Sequence, residues 1–172
     1  MKKILTLFAV VGLIVFSSCE GPEGPPGLDG AETPLPVVFQ VNANFTSPGF
    51  AVTAPLSGLL PSDVVLVYEL VGTTGGNTWA LLPQIYYFND GTETAQYNYS
   101  FSSNNVTIFI DGSLTDFSQL PSEFRLGKTF RVVIVPADFL NSNKSVNKSD
   151  YQDYNAVIKK YNIDDSNVKK LN

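Results

Sequence analysis

From Val37 to Pro136 the chain alternates apolar and polar residues in short runs, each closed by a turn signal, and that rhythm leaves few folds open. Successive side chains of a strand point to opposite faces, so period-two alternation marks a strand with one buried face. Val37, Phe39, Val41, Ala43 and Phe45 alternate with Val38, Gln40, Asn42 and Asn44; after Ser47-Pro48-Gly49, Phe50, Val52 and Ala54 repeat the pattern. Val64 to Val71 is apolar on both faces except at Glu69, as a central strand requires. Thr74-Gly75-Gly76-Asn77 is a hairpin turn, and the run Thr78 to Phe88 is broken by Pro83, which marks an edge or a bulge. Asn89-Asp90-Gly91 leads into Thr92–Ser102, where Ala95, Tyr97, Tyr99 and Phe101 share the core-facing side. Ser103-Asn104-Asn105 turns into Val106–Ile110, and a last strong strand runs from Thr129 to Val135. Seven to eight strands with no long helix among them predict a mainly β fold, an antiparallel two-layer β-sandwich of the Ig-like kind.

Two segments break the rhythm. Leu114, Phe117 and Leu120 sit three apart, which predicts one helical turn in a crossover. In the tail, Ser149 and Gln152 form a capping box, and Tyr151, Tyr154, Val157, Ile158 and Tyr161 fall on one helical face. Lys159 and Lys160 suit the negative end of that amphipathic helix, and Asn162 suits a left-handed stop. The helix is expected against one face or end of the sandwich, with Ile163, Val168 and Leu171 in a final extended piece.

The N-terminus reads as an address. Lys2 and Lys3 precede an apolar run, Ile4 to Phe16, that matches a signal-peptide core and is shorter than the roughly 20 residues of a membrane span. Phe16-Ser17-Ser18-Cys19 follows, a small-small-Cys ending that resembles a bacterial lipobox. In proteins with that motif a diacylglycerol joins the cysteine thiol and the peptide is cut before it, so Cys19 is the expected lipidation site. Glycines at 21, 24, 27 and 30 then give the collagen period through Gly21–Glu32. Four triplets are few for a triple helix, so the expectation is a monomer on a polyproline-II spacer, on the order of 35–40 Å long. The resulting organisation is residues 1–18 as signal peptide, 19–36 as lipidated cysteine and collagen-like linker, and 37–172 as the sandwich with its helix.

Charge and composition narrow the chemistry. The 172 residues carry a net charge of −5, no histidine and one cysteine. A negative chain is poorly suited to neutralising phosphates, which disfavours nucleic acid as a partner. Without histidine the usual acid, base or transition-metal ligand near neutral pH is missing, and one cysteine closes no disulfide within the chain. No catalytic residue, metal or cofactor is expected. Acids and bases are unevenly placed: residues 19–124 hold 11 acids and no base, while 125–172 hold 9 bases and 5 acids. A basic tail folded back on acidic sheets accounts for this, and a charged docking surface is the alternative.

The remaining motifs are thin. Ser145-x-x-Lys148 and Ser166-x-x-Lys169 have the spacing of a Ser–Lys nucleophile but lack its companion motifs. Gly127-Lys128-Thr129 lacks the first glycine of a phosphate loop, whose place Ser122 takes. Asp63, Glu69, Asp90, Glu93 and Asp111 are carboxylates near strand ends, and a hydrolase needs two of them in one cleft. Asn89-Asp90, Asp111 to Asp116 and Asp164-Asp165 are sparse for calcium and read as turn formers. Trp79, Tyr86 and Tyr87 are the candidates for stacking on a ligand, in the manner of glycan-binding sandwiches, with core or rim packing as the other reading.

As a whole the chain resembles the short collagen-repeat lipoproteins of Gram-negative bacteria. The likeness rests on Ser17-Ser18-Cys19, the GPEGPPGLDG run, Ser62 to Tyr68, Trp79 with Leu82-Pro83-Gln84, Asn105 to Asp111, Phe130 to Ala137 and Asp153 to Val157. It implies a lipid-anchored envelope protein; the expected place is the outer membrane with the domain at the cell surface, and the expected role is structural or adhesive, towards a protein or a glycan. It supplies no catalytic residues.

Overall fold

The expected strands form, and the break at Pro83 decides how they are shared between two sheets. The computed structural model describes residues 35–137 and 148–171. The expected signal peptide, Cys19, the collagen-like run and Ser145 of the Ser145-x-x-Lys148 motif lie outside the described residues. The strands are β1 (Val37–Ala43), β2 (Ala51–Pro55), β3 (Val64–Gly72), β4 (Thr78–Leu81), β5 (Gln84–Phe88), β6 (Glu93–Phe101), β7 (Asn105–Gly112), β8 (Lys128–Val135) and β9 (Lys169–Lys170). One sheet has the order β4-β3-β8-β1-β9 and the other β2-β7-β6-β5. All pairings are antiparallel except β1 with β9. The fold is therefore a mainly β, two-layer sandwich. At Leu82-Pro83 the chain leaves the edge of the first sheet, where β4 pairs with β3, and enters the edge of the second, where β5 pairs with β6.

The inner faces of the sheets meet over Val41, Phe45, Val67, Tyr97, Ile108 and Phe130, all fully buried. Aromatic edges and faces interlock there: Phe45 stacks on Tyr97 at 5.5 Å between ring centroids, and Phe130 meets Tyr97 edge-on at 5.4 Å. The predicted crossover turn is present. Phe117–Gln119 forms a 3-10 turn capped by Asp116, followed by the four-residue α1 (Ser122–Arg125), and Leu114, Leu120 and Phe124 enter the same core.

A second core lies on the other side of the five-stranded sheet. Val38, Leu66, Tyr68, Val133 and Val135 point outward there and are covered by Tyr151, Tyr154, Val157, Tyr161 and Ile163. The tail thus packs on a face of the sandwich, and this explains why β3 and β8 are apolar on both sides. It also corrects the reading of β1 as half-buried, because Val38, on its polar-looking side, is buried under the tail.

The tail helix starts later than expected. Lys148–Tyr151 forms a 3-10 turn, and α2 (Tyr154–Lys160) is capped by Asp153, whose carboxylate accepts from Ala156 N at 3.2 Å. Asp153 displaces Ser149 as the cap. The predicted apolar face is otherwise the buried one, and Asn162 takes the left-handed conformation at φ 51°. Phe101 is a further correction: at the end of β6 it runs past the core and stays 48% exposed.

Candidate functional site

A buried ion pair sits where the two sheets meet near α1. Glu69 lies in β3 beside β8, with only 1% of its side chain exposed. Its Oε1 accepts from Lys128 Nζ at 2.9 Å, and its Oε2 accepts from the Tyr86 hydroxyl at 2.7 Å. Lys128, at the start of β8, keeps 19% exposure and places its ammonium 5.3 Å from the centre of the Tyr97 ring. The Tyr97 hydroxyl in turn donates to the Phe124 carbonyl of α1. Burial first, and then the carboxylate of Glu69, push the Tyr86 hydroxyl well above its ordinary titration range. Tyr86 thus stays a neutral donor, and both oxygens of Glu69 are engaged.

Above this pair, Tyr86, Tyr87, Phe88, Phe124, Glu123 and Lys128 line a cleft of about 290 Å³. Tyr86 and Phe88 both meet Phe124 edge-on, at 5.2 and 5.3 Å. Strand alternation in β5 turns Tyr86 inward and Tyr87 outward, where 71% of its surface is exposed. The neighbouring outer face of the four-stranded sheet carries the exposed Thr53, Ile85, Ser100 and Asp111.

The three aromatics named as candidates for stacking on a ligand are placed on different surfaces. Trp79 belongs to β4 on the other sheet, where its ring lies 5.3 Å from that of Tyr154 and 5.1 Å from the guanidinium of Arg131. Arg131 Nη1 donates to the Tyr154 hydroxyl at 3.3 Å, and that hydroxyl donates to Asp165 at 2.9 Å. Trp79 is therefore part of the joint between sheet and tail. Tyr86 faces the core, and Tyr87 alone of the three is open to solvent.

The carboxylates are dispersed in the same way. Asp63 accepts from Leu60 N at 2.9 Å in the turn before β3, and Glu93 is bonded by the Asn89 side chain. Asp111 bonds Gly112 N at 2.7 Å. Asp116 and Asp164 accept from hydroxyl or backbone groups of Ser118 and Ser166, which hold both carboxyls below their ordinary range. These are turn-forming roles. Among the described residues no group of three or more His, Cys, Asp or Glu side chains is close enough to hold a metal ion.

The basic tail does fold back on the sandwich, joined mainly by aromatic and apolar packing. Lys160 lies over the rings of Tyr151 and Tyr161 at 5.7 and 5.2 Å. Sequence reasoning noted Glu69 and Lys128 separately and missed their pairing; the lone acid in an apolar strand was the available signal. No helix among the described residues is long and apolar enough to cross a membrane. Compared with known proteins, the chain matches no family model, no curated protein and no solved structure.

Proposed function

We propose that this chain is a non-catalytic lipoprotein of a Gram-negative cell envelope, anchored to the outer membrane through lipid on Cys19 and presenting its β-sandwich as an interaction module. The observation that carries this reading is the placement of the chain's one cysteine directly after an apolar signal core and two serines, just before the collagen-like run. Each buried acyl methylene contributes about 0.8 kcal/mol of membrane affinity, so two or three chains hold firmly. Glu20, Glu23, Asp29 and Glu32 give the linker a negative charge that anionic lipid repels, which favours a domain held away from the surface. The module acts as a monomer, with a structural or adhesive role towards a protein or glycan, and without nucleic acid. A glycan partner is the second reading, favoured by the exposed Tyr87 ring on the outer side of β5.

Metabolic labelling with an alkyne fatty acid tests the anchor. Label is expected on the wild type and absent from Cys19→Ser. Unlabelled, processed wild-type protein in the medium would replace this reading with a free secreted domain.

A further inference from the structure

Replacing a buried ion pair by apolar residues is often neutral or stabilising, so Glu69 and Lys128 are poorly explained as a source of stability alone. Their geometry allows a different end. Glu69 stands opposite Phe130 in the β3–β8 register, and Lys128 lies two residues along β8 on the same face. The two side chains therefore meet diagonally between adjacent strands. Lys128 Nζ rests 2.9 Å from Oε1 of a carboxyl group with 1% exposure. At that separation the nitrogen is close to the roughly 3–3.5 Å from which an oriented nucleophile attacks a carbonyl carbon.

Three further features suit amide formation. Glu69 Oε2, where negative charge would build during the attack, already accepts from the Tyr86 hydroxyl at 2.7 Å, and burial keeps that hydroxyl protonated. The Lys128 side chain retains 19% exposure, which leaves a way out for one released water. Finally, an amide carries no charge, so its formation recovers the desolvation that a buried pair costs. Holding the two groups in one geometry is equivalent to a concentration on the order of 10⁵–10⁸ M, which offsets the unfavourable condensation of a free amine and acid in water.

We propose that Glu69 and Lys128 condense to a side-chain amide that joins β3 to β8 covalently. One ammonium proton passes to Oε1, the Nζ–Cδ bond forms, and Tyr86 supports the charge on Oε2. The Cδ–Oε1 bond then breaks, and Oε1 leaves as water with the second ammonium proton. The two charges cancel, so no oxidant, activating group or co-reactant is needed. The ion pair is the form in which the chain folds; the amide accumulates afterwards, because the two groups meet only in the folded sheet. It requires neither lipid on Cys19 nor a ligand, so it stands or falls separately from the anchored-module reading. Its effect is mechanical. Strands β4 to β7 and α1 lie between the linked residues, so a pull on the chain ends passes from β3 to β8 through the amide and leaves residues 70–127 out of the load path.

The test is mass mapping of the full lipoprotein after unfolding and digestion with pepsin. A fragment joining the Glu69 and Lys128 peptides, short by one water, is expected. Tyr86→Phe should slow its appearance at least about tenfold, as loss of a donor to a developing oxyanion does. Lys128→Arg keeps the charge and should give only separate peptides. Stretched between its ends, the unfolded wild type should be shorter than Lys128→Arg by roughly 200 Å, the length of residues 70–127 extended at ~3.3–3.6 Å each. Wild-type peptides at their full separate masses would overturn the proposal, as would a joined fragment that persists in Lys128→Arg. If Lys128→Arg does not fold, the wild-type digest decides alone. No variant lacking Lys128 can form the bond, so such variants compared with one another report on the unreacted network alone.

Discussion

Glu69 gives the two sheets a buried side-chain joint through the Tyr86 hydroxyl, beside the bond from the Tyr99 hydroxyl to the Val65 carbonyl. Removing one member of a buried pair strands the other, which costs roughly 3–5 kcal/mol, whereas replacing the whole network by apolar groups costs little. Lys128→Met is expected at the lower end, about 3 kcal/mol, because the Lys128 side chain retains 19% exposure. The triple change Glu69→Leu, Lys128→Met, Tyr86→Phe should recover most of that loss. Urea unfolding of both variants measures the difference, and equal destabilisation would show that the three groups do not act as one network. The sequence marks Glu69 as odd but cannot show its partner. Lys128 lies on β8, next to β3 in the sheet and far from it along the chain, so only the strand order brings them together.

Among the elements, what could be read in advance follows a simple physical division. Alternation and turn residues are local, and β3, the hairpin turns and β8 form where those signals place them. Burial by a later element is not local. The outer side of β1 reads as partly polar, yet Val38 is covered because the tail arrives there from the far end of the chain. The helix start fails for a different reason: Ser149 and Asp153 are both competent caps, and packing of Tyr154 and Val157 on the sheet selects the second. Trp79 and Tyr86 are near in sequence yet do not form one row, because the chain crosses at Pro83 and carries them to opposite sheets.

One position at an element boundary was not legible at all. Gly112 ends β7 at φ 153°, and a Cβ there would collide with the Thr94 carbonyl and approach Ala95 Cα to 2.8 Å. Backbone strain of this kind costs about 1–3 kcal/mol, so Gly112→Ala should lower the unfolding free energy by at least that much. Gly75→Ala, also at positive φ but with open space around its Cβ, should cost less. Thermal melts of the two variants give the comparison.

For the molecule as a whole, tyrosine is the titrating group that ties stability to pH on the alkaline side. Burial pushes Tyr151 up to about 12 from an ordinary 10.0, and raises Tyr68, Tyr86, Tyr97 and Tyr154 as well. A hydroxyl with a higher folded than unfolded pKa holds its proton more tightly when folded. Its contribution is complete below the unfolded value and is lost as the pH climbs through the folded one. The urea midpoint should therefore fall from about pH 10 upward, as unfolding releases protons that the folded chain retains. A midpoint that stays level to about pH 12 would mean that these hydroxyls are not buried as described.

The pairing of β1 has a mechanical side. Any tension carried by the residues before Val37 enters the sandwich through this strand, which is flanked by β8 and β9 and so is not a free edge. Its seven residues are in continuous register with β8 from Val37↔Ile134 to Ala43↔Lys128. A pull along the strand loads those rungs together, as in shear, instead of opening them one by one. On the other flank, Leu171 N donates to Gln40 O at 3.0 Å, so the tail braces the strand on which a pull from that side would act.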